Sequence, residues 1–266
     1  MYTKRLAPFL LAILFAITLH PYSSKADGKD SVKHSFNIVF IGNSITHGAG
    51  LKDWKTEAPP NETVKYLKQQ KGVDSVYFAN QGYSGHTTVD FLPATAKDFP
   101  KVEAAANAFT DKNAQLIFSI ILGTNDSAMQ GPTGAPVSKE DYQTNLQTIV
   151  RQLLKEFPGC KIVLQQPTWY SPNTHNRGAT YDQEGLTRLQ SYFPLIKTTV
   201  KSFAKTNPKH VFLGDTDAFD FFKKNAEQYL QHENGLEGVF YLHPNKDGAV
   251  ALGDFWAKAI YKCLFK

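Results

Sequence analysis

The chain alternates short, almost wholly apolar runs with longer stretches in which apolar residues recur every three or four positions. Compact apolar runs mark strands buried on both faces, as in a parallel sheet, whereas the wider spacing marks helices with one buried face. Five segments fit the first pattern: Phe36 to Ile41, Ser75 to Ala79, Gln115 to Leu122, Lys161 to Leu164 and His210 to Leu213. Ser138 and Asp141 form a capping box ahead of Tyr142, Leu146, Ile149, Val150, Leu153, Leu154 and Phe157, a helix that Gly159 closes. Leu186, Leu189, Phe193, Ile196, Val200 and Phe203 form a second stripe, with a kink expected at Pro194. A last helix is predicted from about Lys246 to Leu264. This alternation predicts an α/β sandwich of one domain, with a mostly parallel five-stranded sheet in flavodoxin-like order.

The amino terminus breaks the pattern. Lys4 and Arg5 precede an apolar stretch from Leu6 to Leu19, and Ser24-Lys25-Ala26 follows with small residues at its first and third positions. The stretch is short for a membrane span, so residues 1–26 read as an export signal and 27–266 as the mature domain, secreted or periplasmic, with no stable membrane anchor after cleavage. Losing Lys4, Arg5 and Lys25, with no acidic residue among them, lowers the formal charge from +5 to +2. The remaining basic residues are scattered, which argues against a nucleic-acid footprint. At 266 residues and 42% hydrophobic, the chain can bury a core unaided and is not intrinsically disordered. Its two cysteines, Cys160 and Cys263, exclude a disulfide scaffold, and whether they pair is open.

Small, polar and glycine-rich segments follow each predicted strand: Gly42-Asn43-Ser44, Asn80 to Thr87, Gly123-Thr124-Asn125-Asp126, Gln165 to Tyr170 and Gly214-Asp215. In open α/β sheets, ligands bind beyond the carboxyl ends of the strands. Ser44 there is a candidate nucleophile. The backbone N–H of Gly85 and the amide of Asn125 are candidate oxyanion donors. His243, just before the last helix, is a candidate base. Each also has an ordinary structural reading as a cap, turn or solvated residue. Ser84 is a rival nucleophile, but it falls one residue short of the Gly-x-Ser-x-Gly elbow. His47 and His86 are expected to line the pocket. Zinc-protease, phosphate-loop and dinucleotide motifs are absent from the sequence.

These segments, taken in order, resemble the four blocks of the SGNH (GDSL-like) hydrolases. Ile41 to Gly48 is similar to the nucleophile block, Asn80 to Thr87 to the glycine block and Gly123 to Asp126 to the asparagine block; His243-Pro244-Asn245 with Gly248 is similar to the histidine block. The resemblance implies a three-layer αβα fold, with Ser44, Gly85, Asn125 and His243 as the catalytic set. It also implies ester hydrolysis through an acyl-enzyme, without metal or cofactor. Asn43 stands where the family commonly has Asp, in a supporting position. Phe240 stands where the family usually has the acid, three residues before the histidine. Three explanations compete: the Phe240 carbonyl orients His243, a displaced acid such as Glu237, Asp215 or Asp217 does so, or the protein is inactive.

The expected substrate is a small-molecule or polysaccharide ester, with exported carbohydrate deacetylation favoured. Trp54, Trp169 and Tyr170 in loops are candidates to stack on sugar rings, and the Gly-Asn-Ser-Ile-Thr sequence looks like the sialate and xylan acetylesterase branch. A lipase, lysophospholipase or thioesterase would need an apolar lid, for which Asp90 to Ala106 is the candidate. A non-catalytic glycan-binding protein is the third reading, resting mainly on Phe240. The oligomeric state is not readable from the sequence.

Overall fold

A computed structural model describes Met1 and residues 33–265; the expected export signal lies outside the described residues. Five strands form one parallel sheet: β1 (His34–Gly42), β2 (Val73–Gly82), β3 (Gln115–Ile121), β4 (Lys161–Leu164) and β5 (Val211–Leu213), in the order β2-β1-β3-β4-β5. The apolar runs become strands because both faces of the sheet are covered. Ile38, Val39, Phe40 and Ile41 of β1, and Ile117, Phe118 and Ile120 of β3, are all buried.

The helices follow in chain order: α1 (Ser44–His47), α2 (Trp54–Glu57), α3 (Pro59–Lys68), α4 (Phe99–Ala108), α5 (Lys139–Glu156), α6 (Asp182–Thr206), α7 (Ala218–Lys224), α8 (Ala226–Tyr229) and α9 (Lys246–Leu264). The chain steps one way from β1 to β2, then back across β1 to β3, β4 and β5. Right-handed crossovers therefore place α3 on one face and α4, α5 and α6 on the other. Consistent with this, α3 packs on α9, and α5 on α6. The result is the three-layer αβα sandwich expected from the sequence. On α9, Trp256 stacks on Phe40 with ring centroids 6.1 Å apart.

Local signals were legible to different degrees. Ser138 caps α5 by accepting from the Asp141 N–H at 3.0 Å. That helix ends at Glu156, three residues before Gly159, with the Phe157 N–H bonded to Leu153. Pro194 sits inside a continuous α6. Cys160 is buried, which pushes its thiol up to about 12, and Cys263 on α9 sits with Sγ 3.8 Å from the Leu213 carbonyl.

An antiparallel hairpin, β6 (Glu233–Gly235) and β7 (Gly238–Phe240), was not expected. It precedes His243 and is tied to the loop after β4. Asn173 Nδ2 donates to the Val239 carbonyl at 2.8 Å, and the Leu236 N–H to the His175 carbonyl at 2.8 Å.

Candidate active site

The sheet register brings the predicted segments together. Gly42 pairs with both Gly82 and Ile121, and Ile120 pairs with Leu164, so the carboxyl ends of four strands align along one edge. Asn43 caps the short turn of α1, its Oδ1 accepting from the Ile45 N–H at 3.0 Å. An amide oxygen serves this cap as a carboxylate would, which accounts for Asn where the resemblance leads one to expect Asp. Asn80 fastens the next loop to that turn, its Nδ2 donating to the Thr46 carbonyl at 2.8 Å. Ser44 is thereby held at the rim of a cavity of about 540 Å³ that it shares with Gly85, Asn125 and His243.

Ser44 Oγ lies 2.8 Å from His243 Nε2. On the far side of the ring, Nδ1 lies 3.0 Å from both carboxylate oxygens of Glu233. The same carboxylate accepts the backbone N–H of His243 at 3.1 Å. Because a carboxylate only accepts, the bond to Glu233 places a proton on Nδ1 and turns the lone pair of Nε2 toward the serine. Gln231 locks the two halves together: its Nε2 donates to the carbonyls of Ala49 and Pro244, each at 2.9 Å. Its backbone N–H donates to the His243 carbonyl at 2.8 Å.

Glu233 corrects the expectation for the acid. The hairpin sets Glu233 directly opposite Phe240, so an acid from the neighbouring strand occupies the place where the family's acid was sought. The three candidates considered from the sequence are occupied elsewhere. Glu237 faces His175 at 3.3 Å; Asp215 accepts the N–H groups of Asp217 and Ala218, each at 3.1 Å; and Asp217 accepts from the Thr216 hydroxyl at 3.3 Å. The Phe240 carbonyl is not the group facing Nδ1.

Gly85 occupies the third position of a turn closed by the His86 N–H on the Tyr83 carbonyl at 3.2 Å, and its φ is +80°. That is a type II turn, which favours glycine at this position and leaves its own N–H outside the closing bond. A Cβ on Gly85 would meet nothing within 4 Å, which fits its place on the cavity wall. Asn125 is held at both ends: Nδ2 donates to the His86 carbonyl at 2.8 Å, and Oδ1 accepts from the Tyr181 hydroxyl at 2.7 Å. One N–H of the amide remains beside the cavity. Burial, and then the charge of Glu233, raise the Tyr181 phenol, which keeps it a donor to Asn125.

Of the other sequence candidates, His86 and Ser84 line the cavity. His243 bonds to Ser44 rather than to Ser84. His47 instead stacks on Trp54, with centroids 4.3 Å apart. Trp169 and Tyr170 are core residues, 9% and 0% exposed, so they are not available to a sugar; Trp54 stays exposed. Among the described residues, no group of three or more His, Cys, Asp or Glu side chains is arranged to hold a metal ion. Glu233, Tyr181 and Gln231 were missed. Only Glu233 left a readable trace, because glycines at 235 and 238 flank a two-residue turn from which its place opposite Phe240 follows by counting.

A parallel five-stranded sheet carrying a Ser–His–Glu array at its carboxyl edge defines an α/β protein with the layout of a serine hydrolase. The model of the GDSL-like lipase/acylhydrolase family matches residues 40–251, and the chain belongs to that family. Solved structures share the fold at low identity. A carbohydrate acetylesterase from Sinorhizobium meliloti is 17% identical with a TM-score of 0.56, over 88% of this chain and 100% of that one. An acetylxylan esterase from Geobacillus stearothermophilus, solved as a catalytic mutant, is 18% identical at 0.56, over 88% and 96%. A lipase/acylhydrolase from Enterococcus faecalis is 18% identical at 0.55, over 85% and 95%. None of the curated proteins matches this sequence.

Proposed function

We propose that this protein is an exported serine esterase that removes short acyl groups, acetyl foremost, from carbohydrate esters. The observation that carries the reading is the hydrogen-bonded line Ser44–His243–Glu233 at the rim of the cavity. In the proposed reaction, Ser44 Oγ attacks the ester carbonyl as His243 Nε2 takes its proton. Glu233 holds the resulting imidazolium. The oxyanion draws hydrogen bonds from the Gly85 N–H and the remaining N–H of Asn125. His243 returns the proton to the departing alkoxide, which leaves as the alcohol and gives an acyl-Ser44 ester. Water, deprotonated by the same imidazole, then releases the carboxylic acid and restores the serine.

Small and polar wall residues, among them Ala49, Gly131, Thr133, Asn176 and Gly178, support a short acyl group and a polar alcohol. Against the lipase alternative, Asp90, Phe91, Asp98, Phe99 and Val102 of the segment considered as a lid are buried, which supports a fixed wall rather than an apolar lid. The non-catalytic alternative loses its main support now that Glu233 stands opposite Phe240. Two of the solved structures that share the fold, a carbohydrate acetylesterase and an acetylxylan esterase, agree with the substrate class. Export rests on the basic and apolar character of residues 1–26.

The test is turnover of p-nitrophenyl esters from acetate to decanoate, together with acetate release from acetylated glycans. Acetate esters should react fastest, and Ser44→Ala should reduce the rate to background. Absence of turnover across pH 5 to 9 would overturn the enzymatic reading, and rates rising with chain length would overturn the deacetylase reading.

A further inference from the structure

The cavity holds a second histidine–carboxylate pair that the reaction above does not use. His86 follows Gly85, lines the same cavity, and its side chain is 22% exposed. Its Nδ1 is turned away from the cavity onto Oδ2 of Asp98, a carboxylate with no exposed surface. Lys101 Nζ donates to the other oxygen of Asp98 at 2.9 Å, and the His86 ring lies against Tyr83 with centroids 5.4 Å apart. The ring is therefore fixed in both position and direction.

Its chemistry follows from the partner. A carboxylate only accepts, so Nδ1 carries the hydrogen, and neutral imidazole then leaves Nε2 with a bare lone pair. Among the described residues no protein group meets that nitrogen. Asn176, on the same cavity wall, is the complement: its Oδ1 is taken by the N–H groups of Gly178 and Ala179, each at 2.8 Å, which leaves its amide nitrogen as a donor. One fixed acceptor and one donor on the wall of the cavity that holds Ser44 match a hydroxyl group, which both donates and accepts.

We infer that His86, oriented by Asp98, is a specificity-determining residue that accepts a hydrogen bond from a free hydroxyl on the alcohol part of the ester, and so selects polyhydroxylated esters over simple ones. This rests on the esterase reading and narrows its substrate class. Asp98 acts as a positioning residue through His86.

The experiment compares kcat/KM for three acetates: an acetylated methyl glycoside with its hydroxyls free, the same compound with those hydroxyls methylated, and p-nitrophenyl acetate. The unaltered protein should prefer the free-hydroxyl glycoside about tenfold over its methylated form, the ratio expected for one hydrogen bond. His86→Phe keeps the ring against Tyr83 and the backbone carbonyl on Asn125 but removes the acceptor; it should bring that ratio to about one, lowering kcat/KM for the free-hydroxyl glycoside about tenfold more than for p-nitrophenyl acetate. Asp98→Asn offers Nδ1 an amide donor, turns Nε2 into an N–H, and should also abolish the preference. Equal loss on all three substrates in either variant would overturn the inference, as would an unaltered protein that does not discriminate. Failure of the esterase reading is distinct, because p-nitrophenyl acetate would then not turn over at all.

Discussion

Glu233 offers both carboxylate oxygens to His243 Nδ1, so Glu233→Gln keeps the volume and removes the charge and the tautomer control. By analogy with amide substitution of the acid in Ser-His-Asp sites, kcat is expected to fall about 10³- to 10⁴-fold. Glu237→Gln, on an exposed carboxylate paired with His175, should stay within twofold. Equal losses in the two variants would place the acid elsewhere. Tyr181 acts one step further out. Tyr181→Phe leaves the buried Oδ1 of Asn125 without its donor and frees the amide to turn. Losing such a donor costs about 1–3 kcal/mol. We predict a drop in kcat of about tenfold or more with KM little changed, because the lost hydrogen bond serves the oxyanion rather than the bound ester. A rise in KM at constant kcat would assign Tyr181 to substrate binding instead.

The hairpin β6–β7 is the element on which the acid depends. A Cβ on Gly235 would lie 2.5 Å from the His175 carbonyl oxygen and 2.7 Å from Cδ1 of Phe240. The first contact is with backbone, so Gly235→Ala must displace the strand that carries Glu233. A shift near 1 Å at a catalytic group can cost about a hundredfold, and that loss in kcat is expected here. Val239→Ala, at an exposed position on the facing strand, should change kcat less than twofold. The difference between this hairpin and the five main strands also explains what the sequence could reveal. Strands such as Gln115–Ile121 are buried on both faces, and a near-continuous apolar run satisfies that, with the buried Ser119 hydroxyl accepting from Gln165. The loops after them carry Ser44, Gly85 and Asn125 in a recognisable order. Glu233 and Phe240 lie in three-residue strands with little apolar pattern, and their pairing depends on turn geometry. Tyr181 and Gln231 were hidden for another reason: they meet the site through contacts 56 and 182 residues apart in the chain. Trp169 and Tyr170 were misread because a polar loop following β4 turns inward, with the Tyr170 hydroxyl 3.0 Å from Ser127 Oγ.

At the scale of the whole molecule, a buried acid that the proposed reaction does not use lies next to the site. Asp126 follows Asn125 and is fully buried; Oδ1 accepts from the Thr88 N–H at 2.9 Å and from the Thr88 hydroxyl, while Oδ2 has no hydrogen-bond partner among the described residues. Burial raises its carboxyl from 3.8 to about 6, with the Thr88 hydrogen bonds opposing the shift. An acid whose pKa is higher in the folded state holds its proton better folded than unfolded. Its contribution to stability is complete below about pH 4 and is lost as pH rises through about 6. The shift corresponds to about 3 kcal/mol of pH-dependent stability. Asp215, also raised mainly by burial, acts in the same sense, whereas Asp90 is lowered: burial works against it, but Lys97 and the Thr87 N–H outweigh that. The contribution of Asp126 is therefore isolated by difference. Urea unfolding of the unaltered protein and of Asp126→Asn should be compared at pH 4 and pH 8. The unaltered protein should lose about 2.5 kcal/mol more than the variant between those pH values, the rest of the effect falling below pH 4. Parallel stability curves would show that Asp126 stays ionised in the folded state, with Thr88 alone sufficient to hold its charge.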